Sequence, residues 1–376
     1  MWRRELTIST TKKLLGVTAA AGLIVALAGC GSAPDATPSS AGPTAVEGFK
    51  PCIVSDDGGW NDKSFNQSAK AGIEKAAAEL GVEAGEVESG SANDYAPNLE
   101  NLVAEGCTLI ISVGFKLSAD TIASAKANPD INYAIIDDSA DGDQDGKPDA
   151  DNIKPLLFDT VQAAYLGGYA SAAWSDASGV NKVGTFGGIQ IPPVTIFMDG
   201  FVDGVQKFNE DKGKNVQTFG WDVASQTGAF TGGFAANDTA KQTASGILDQ
   251  GVDVILPVGG PIFQSAAAAI TDSGKDTVLL GVDADLYETA PDIKSMVLVS
   301  ILKRIDNSVY DTVMAAGTGN FDAAPYVGTL ENEGVGLSSF HDFESKLPAG
   351  LTDELDALKK AIIDGSLEVT SPSSPK

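Results

Sequence analysis

One stretch of the sequence carries side chains suited to holding a small polar molecule. It is Ser55-Asp56-Asp57-Gly58-Gly59-Trp60-Asn61-Asp62-Lys63-Ser64-Phe65-Asn66-Gln67, which follows the apolar pair Ile53-Val54. An ionised carboxylate accepts hydrogen bonds from a polyol or from the N–H edge of a base, and an aromatic face stacks on a planar ring. Asp56 and Asp57 followed by Phe65 therefore suit a ligand with both a sugar and a base. The same residues also fit an acidic loop beside a core phenylalanine. Glycine pairs such as Gly187-Gly188 and Gly259-Gly260 let backbone amides approach a ligand, though glycine is common at strand-to-helix turns without one. The chain contains one histidine, His341. That excludes an HExxH zinc site and any pair of imidazole ligands, and leaves at most one Ser-His-Asp arrangement.

Such a stretch needs a scaffold that positions it. From Pro51 onward, continuous apolar runs such as Leu109–Val113, Tyr133–Ile136, Val254–Leu256 and Val278–Leu280 mark strands buried on both faces of a parallel sheet. Helical patterns lie between them at 64–80, 96–105, 117–127, 160–174, 198–210, 236–250, 262–273, 301–316 and 351–364, several closed by Gly. Repeated β-α-β units predict a doubly wound α/β fold, with a break near Asp159 dividing two similar sets. Two open sheets facing each other place the loops at their strands' carboxyl ends around one cleft. The expected organisation is a first lobe over 50–158 plus 284–318 and a second over 159–283 plus 319–370, with 371–376 as a disordered tail.

The whole chain, 376 residues with 43% hydrophobic content, is long enough for two such lobes. Its 25 basic against 51 acidic residues, a formal charge of −26, argue against a nucleic-acid partner held by phosphates. Residues 1–29 begin with Arg3, Arg4, Lys12 and Lys13, continue through an apolar run from Leu14 to Ala28, and end just before Cys30. Leu27-Ala28-Gly29-Cys30 is similar to a bacterial lipobox, so 1–29 is expected to be a signal peptide and Cys30 the lipidated residue. An ordinary signal peptide or a single membrane anchor is the alternative. Residues 30–49, rich in Gly, Ser, Ala, Pro and Thr, read as a tether holding a folded body clear of the membrane on its extracytoplasmic face. Cleavage removes four basic residues and one acidic one, leaving 21 against 50.

The motif Asp-x-Gly-Gly-x-x-Asp-Lys-Ser-Phe-Asn-Gln resembles the opening signature of the basic membrane protein family, the purine nucleoside receptor A-like substrate-binding lipoproteins of ABC transporters. The likeness continues through Val113-Gly114-Phe115, Ala164-Tyr165-Leu166-Gly167-Gly168-Tyr169, Gly187-Gly188-Ile189-Gln190-Ile191-Pro192-Pro193-Val194, Gly200–Val205, Gly281–Asp285, Ser300–Arg304 and Gly334–Leu337. The resemblance implies a type I periplasmic-binding-protein fold that holds a nucleoside, of purine type, between two lobes and delivers it to a permease. It implies that Asp56 and Asp57 form the polar pair at the first strand's end, that Phe65 walls a base-stacking slot, and that Asp137 bonds the base edge. Asp283 and Lys303 correspond to ribose contacts. For the opposite aromatic wall the candidate is Trp221, with Phe186 and Phe197 behind it. Because Asp138 follows Asp137, either carboxylate fits the base-edge role. Each residue also has a plainer role open to it: a helix cap for Asp137 or Asp283, a surface ion pair for Lys303, core packing for Trp221.

Cys52 and Cys107 each precede a buried strand. In a 2-1-3 strand order those strands are neighbours about 4.8 Å apart, which suits a disulfide; two buried free thiols are the alternative. Asp141-Gly142-Asp143-Gln144-Asp145-Gly146-Lys147-Pro148-Asp149 has the spacing of half a calcium loop, with Asp141, Asp143, Asp145 and Asp149 as candidate ligands. It has Asn152 where the loop's closing Glu belongs, so a solvated acidic hairpin accounts for it as well, and no other cofactor is expected. The function expected overall is non-catalytic: nucleoside capture for an ABC importer. A binding protein for a sugar or other small polar ligand, a nucleoside-processing enzyme and a surface antigen without a transporter are the competing classes. If Cys30 carries the anchor, Cys30→Ala releases the protein or leaves it unprocessed, as membrane fractionation and intact mass will report. Unchanged processing and membrane retention would contradict it.

Overall fold

The computed structural model describes residues 43–375. The expected signal peptide, Cys30 and most of the expected tether lie outside the described residues. In chain order the first strands are β1 (Pro51–Val54), β2 (Gly85–Val87), β3 (Leu109–Val113), β4 (Asn132–Ile136) and β5 (Ile153–Phe158). They are followed by β6 (Lys182–Gly187), β7 (Gln217–Phe219), β8 (Trp221–Asp222), β9 (Thr227–Gly228) and β10 (Val254–Val258). The last are β11 (Val278–Asp283), β12 (Val297–Lys303), β13 (Tyr326–Gly328) and β14 (Val335–Leu337). The helices are α1 (Phe65–Leu80), α2 (Tyr95–Ala104), α3 (Ser118–Ala127), α4 (Val161–Ser178) and α5 (Pro192–Lys212). Then come α6 (Asp238–Leu248), α7 (Ile262–Ser273), α8 (Leu286–Thr289), α9 (Ile305–Gly317) and α10 (Leu351–Ile363).

Two six-stranded sheets run β2-β1-β3-β4-β5-β13 and β7-β6-β10-β11-β12-β14. The first five strands of each are parallel and share one order, so β1, β3, β4 and β5 are the counterparts of β6, β10, β11 and β12. The apolar runs form these central strands because every residue of β1, β3, β10 and β11 is buried. Against the second sheet, α4 and α5 touch backbone to backbone. A Cβ at Gly168 would lie 2.0 Å from Phe201 O, and one at Gly204 2.0 Å from Tyr165 O. Gly168, Gly200 and Gly204 thus serve helix packing, where only hydrogen fits.

The chain crosses between the sheets three times: from β5 into α4, from β12 into α9, and from β13 to β14. This redraws the expected lobe boundaries. Residues 301–303 are not the start of a helix over 301–316 but the end of strand β12, because Val297-Leu298-Val299-Ser300-Ile301 is an apolar β-rich run buried between β11 and β14. Residues 284–303 therefore stay with the second sheet, and only α9 returns to pack on α1. In the other direction β13, expected in the second lobe, pairs with β5 of the first sheet.

Both ends of the body are more ordered than their composition suggests. The tether gives way to packed chain by Val46, whose amide donates to Gly317 O at 2.8 Å, and Phe49 is buried. The tail over 371–375 is bound rather than disordered. Ser371 Oγ donates to Asp199 Oδ2 (2.5 Å), Ser374 Oγ to Asp159 Oδ1 (2.8 Å), and Ser373 meets the Thr195 hydroxyl at 2.7 Å. Its serines find carboxylates on α5 and at the first crossing, which composition cannot reveal. Cys52 and Cys107 form a disulfide with Cα atoms 5.9 Å apart, at the amino ends of neighbouring β1 and β3. It spans 55 residues of sequence, so Cys52→Ser with Cys107→Ser is expected to cost roughly 2–4 kcal/mol in denaturant unfolding. A midpoint equal to the oxidised parent's would contradict this.

Candidate ligand-binding site

At the carboxyl ends of the strands the two sheets enclose a cleft with an empty volume of about 570 Å³, counting the part open to solvent, within the range of small-molecule sites. From the first sheet come Asp56 after β1, Phe65 and Asn66 at the start of α1, Gly114 and Phe115 after β3, and Asp137 after β4. From the second come Val194 and Phe197 of α5, Gly259 and Gly260 after β10, Asp283 ending β11, and Lys303 ending β12.

Asp137 and Asp283 occupy counterpart positions, each at the end of the fourth strand of its sheet. Both have left-handed backbones, with φ of 65° and 66°. Between them stands Lys303, 3% exposed, whose ammonium pairs with Asp137 and lies 4.0 Å from Asp283 Oδ1. Three phenyl faces surround the ammonium, with ring centres at 5.0 Å (Phe65), 5.4 Å (Phe158) and 6.0 Å (Phe197). One cation thus serves two buried carboxylates. Burial pushes the Asp283 carboxyl up to about 6, against the opposing pull of Lys303 and of the Ser64 hydroxyl bond. Burial also raises Asp137, again opposed by Lys303.

Asp56 is held differently. Its Oδ1 accepts from Gly58 N and Asn66 Nδ2, both at 2.8 Å. Among the described residues no donor meets Oδ2, which faces Gly114 beside Phe65. Burial raises this carboxyl, opposed by its two hydrogen bonds. Asp62 accepts from Ser64 N (3.0 Å), Asn66 N (2.8 Å) and Gln67 N (3.1 Å), so it caps the first turn of α1 and fixes Phe65 and Asn66.

The structure gathers Asp56, Phe65, Asp137, Gly260, Asp283 and Lys303 around the cleft and leaves two expected residues outside it. Asp57 turns away to Lys116 (2.6 Å) and accepts from the Tyr95 hydroxyl (3.3 Å). Trp221 is core: its Nε1 donates to Asp199 Oδ1 at 2.7 Å, and its ring meets Phe230 edge to face. Its indole is engaged by α5 because it opens the small β8–β9 hairpin. Of the two aromatic candidates behind it, Phe186 is buried core, whereas Phe197 of α5 lines the cleft, and so does Phe234. A Cβ on Gly188 or Gly259 would come within 2.4 Å and 2.7 Å of its ring, so those glycines make its place. Phe234 follows Thr231-Gly232-Gly233, and an aromatic inside a glycine-rich loop is the one signal that points to it. Of the acidic pair, Asp137 faces the cleft, while Asp138 accepts from the Ser118 hydroxyl (2.6 Å) and Ala140 N (2.8 Å). In the acidic loop, oxygens of Asp141, Asp143 and Asp149 lie within 4.8 Å of one another without Asp145, and Asp149 pairs with Lys126.

Two like sheets with a cleft at their strand ends define a two-lobed solute-binding protein of the type I periplasmic fold. A solute-binding protein of an ABC transporter system from Aeropyrum pernix K1 superposes with a TM-score of 0.72 at 26% identity, over 86% of this chain and 94% of that one. The chain belongs to the Bmp family, the PnrA-like substrate-binding proteins of ABC transporters, whose model matches residues 49–371. It is 32% identical over 381 residues to the ABC transporter nucleoside-binding protein BmpA of Lactococcus lactis, covering 96% of this chain and 99% of that protein. It is 30% identical over 368 residues to the CD4+ T-cell-stimulating antigen of Listeria innocua, covering 93% and 95%. The family consists of binding proteins rather than enzymes, and the role implies a ligand and a permease. Among the described residues, no helix is long and apolar enough to cross a membrane.

The raised Asp283 carboxyl has a definite sign in stability. Its folded value of about 6 exceeds the ordinary carboxylate value near 4, so its stabilising proton is held below pH 4 and lost as pH rises through 6. Asp283→Asn is therefore expected to gain on the parent between pH 4 and pH 7, by on the order of 2–3 kcal/mol. Unfolding of both proteins across that range tests it, and a constant difference would contradict the assignment.

Proposed function

We propose that the cleft binds a nucleoside, of purine type, and that the protein delivers it to an ABC permease from a lipid anchor on the extracytoplasmic face. The observation that carries this is the pairing of aromatic and polar groups across one cleft. Phe65 from the first sheet and Phe234 from the second supply faces for a flat base, beside the open acceptor Asp56 Oδ2. The buried Asp137–Lys303–Asp283 cluster supplies acceptors and a donor for vicinal hydroxyls. The name of the Lactococcus lactis relative agrees with that chemistry. A sugar alone would use the cluster but has no flat ring to fill a slot with aromatics from both sheets. Closure of two lobes about the three crossings then encloses the ligand and creates the shape a permease can recognise.

Calorimetry with a nucleoside, its 2′-deoxy form and the free base tests this. The parent is expected to bind the nucleoside best. Phe65→Ala and Phe234→Ala are each expected to cost roughly 1–3 kcal/mol for every nucleoside while keeping the ribose preference. Asp283→Ala and Lys303→Met are expected to cost roughly 1.5–3 kcal/mol and to shrink that preference. A parent that ignores nucleosides and binds a pentose or hexose would overturn the reading.

A further inference from the structure

One corner of the first lobe reaches across the cleft. Ser64 is fixed to its own side: its amide donates to Asp62 Oδ1 at 3.0 Å, and its carbonyl accepts from Ser68 N (3.0 Å) and Ser68 Oγ (2.6 Å) on α1. Its hydroxyl, fully buried, points the other way and meets β11 of the second sheet, 2.8 Å from Asp283 Oδ2 and 3.0 Å from Val282 O. One residue earlier, Lys63 O accepts from the hydroxyl of Thr289, on α8 of the second lobe, at 2.7 Å. Lys63 takes a left-handed backbone with φ of 65°, a conformation rare for a residue with a side chain. Asp283, facing this corner, has the same rare conformation. These bonds join the two lobes at the cleft itself, not at the three chain crossings.

We propose that the Lys63–Ser64 corner is the clasp of the closed cleft and that Ser64 is a positioning residue for Asp283. Resting on the nucleoside reading, this assigns Ser64 a task distinct from contacting the ligand. Its hydroxyl holds Oδ2 of the carboxylate and leaves Oδ1, on the Lys303 side, free for a ligand hydroxyl. Closure and recognition are then one event, because Asp283 is oriented only when the first lobe has arrived. Other polar groups facing Asp283 are Lys303 from β12, Asp137 from the end of β4 and Asp62 from the turn before α1. Only Ser64 among them donates a hydrogen bond to Asp283 from the opposite lobe. Thr289 closes the same corner without touching the carboxylate, which separates clasping from orienting.

The test follows the Asp283 carboxyl by ¹³C NMR in the nucleoside-saturated protein, where the lobes have met, together with nucleoside dissociation rates. In Ser64→Ala the titration midpoint of Asp283 is expected to rise by about half a unit or more, since a hydrogen bond favouring the ionised form is gone. Dissociation is expected to speed up roughly tenfold. Ser64→Thr, which keeps the hydroxyl, restores both. Thr289→Val is expected to speed dissociation and leave the Asp283 midpoint where it was. An unmoved midpoint in Ser64→Ala, or loss of the effect in Ser64→Thr as complete as in Ser64→Ala, would overturn the proposal. If Ser64→Ala fails to fold, Ser64→Cys, a far weaker donor, takes its place with the same expected direction. A parent that binds no nucleoside defeats the functional reading, and the same titrations with a saturating pentose, the ligand of the alternative reading, then decide the clasp.

Discussion

A single buried ammonium shared between two carboxylates organises this protein. Lys303 ends β12 and is followed at once by the crossing into α9, so the cation stands where the chain passes from one sheet to the other. Its partners come one from each sheet: Asp137 from β4 and Asp283 from β11. Desolvating three charges together is costly, and it is offset only if the pairing geometry is kept and the remaining acceptors are satisfied. The aromatic rings of Phe65, Phe158 and Phe197 exclude water from the cluster while offering the ammonium their π faces. One cation cannot fully balance two carboxylates, and that residual acceptor capacity is what a polyol can use.

The likeness of the two sheets explains why the site looks as it does. Counterpart strands deliver counterpart residues, so the two aspartates approach from opposite sides with the same left-handed backbone. The remaining contributions break the symmetry. The first lobe gives Asp56, with one oxygen held by Gly58 and Asn66 and the other open. The second gives Gly188 and Gly259, which make room for Phe234. The serine-rich end of the chain, bound to Asp159 and Asp199, ties the first crossing to α5.

Much of this was legible in the chain. Strands buried on both faces announce themselves as continuous apolar runs, and the residues just past them, Asp56, Asp137, Gly260 and Asp283, are indeed where the cleft lies. The neighbouring strand starts of Cys52 and Cys107 pointed to the bridge that the structure contains. Legibility failed where tertiary context overrode local pattern. Residues 301–303 read as the first turn of the helix that follows, because no glycine or proline separates them from α9; pairing with β11 and β14 makes them strand. Trp221 follows a strand as a site residue should, but its indole N–H found Asp199 instead. Phe234 sits in a loop with no periodicity to interpret, and Asp57 differs from Asp56 only in which way a turn faces it. Ser64 lay in plain view within the opening motif; its importance depends on a partner 219 positions away.

The most direct measurement is a crystal structure of the protein grown with a purine nucleoside. The account predicts the base in contact with both Phe65 and Phe234, and the ribose hydroxyls within hydrogen-bond distance of Asp283 and Lys303. A nucleoside bound outside this cleft, or seated in it with its ribose turned away from that pair, would contradict the account.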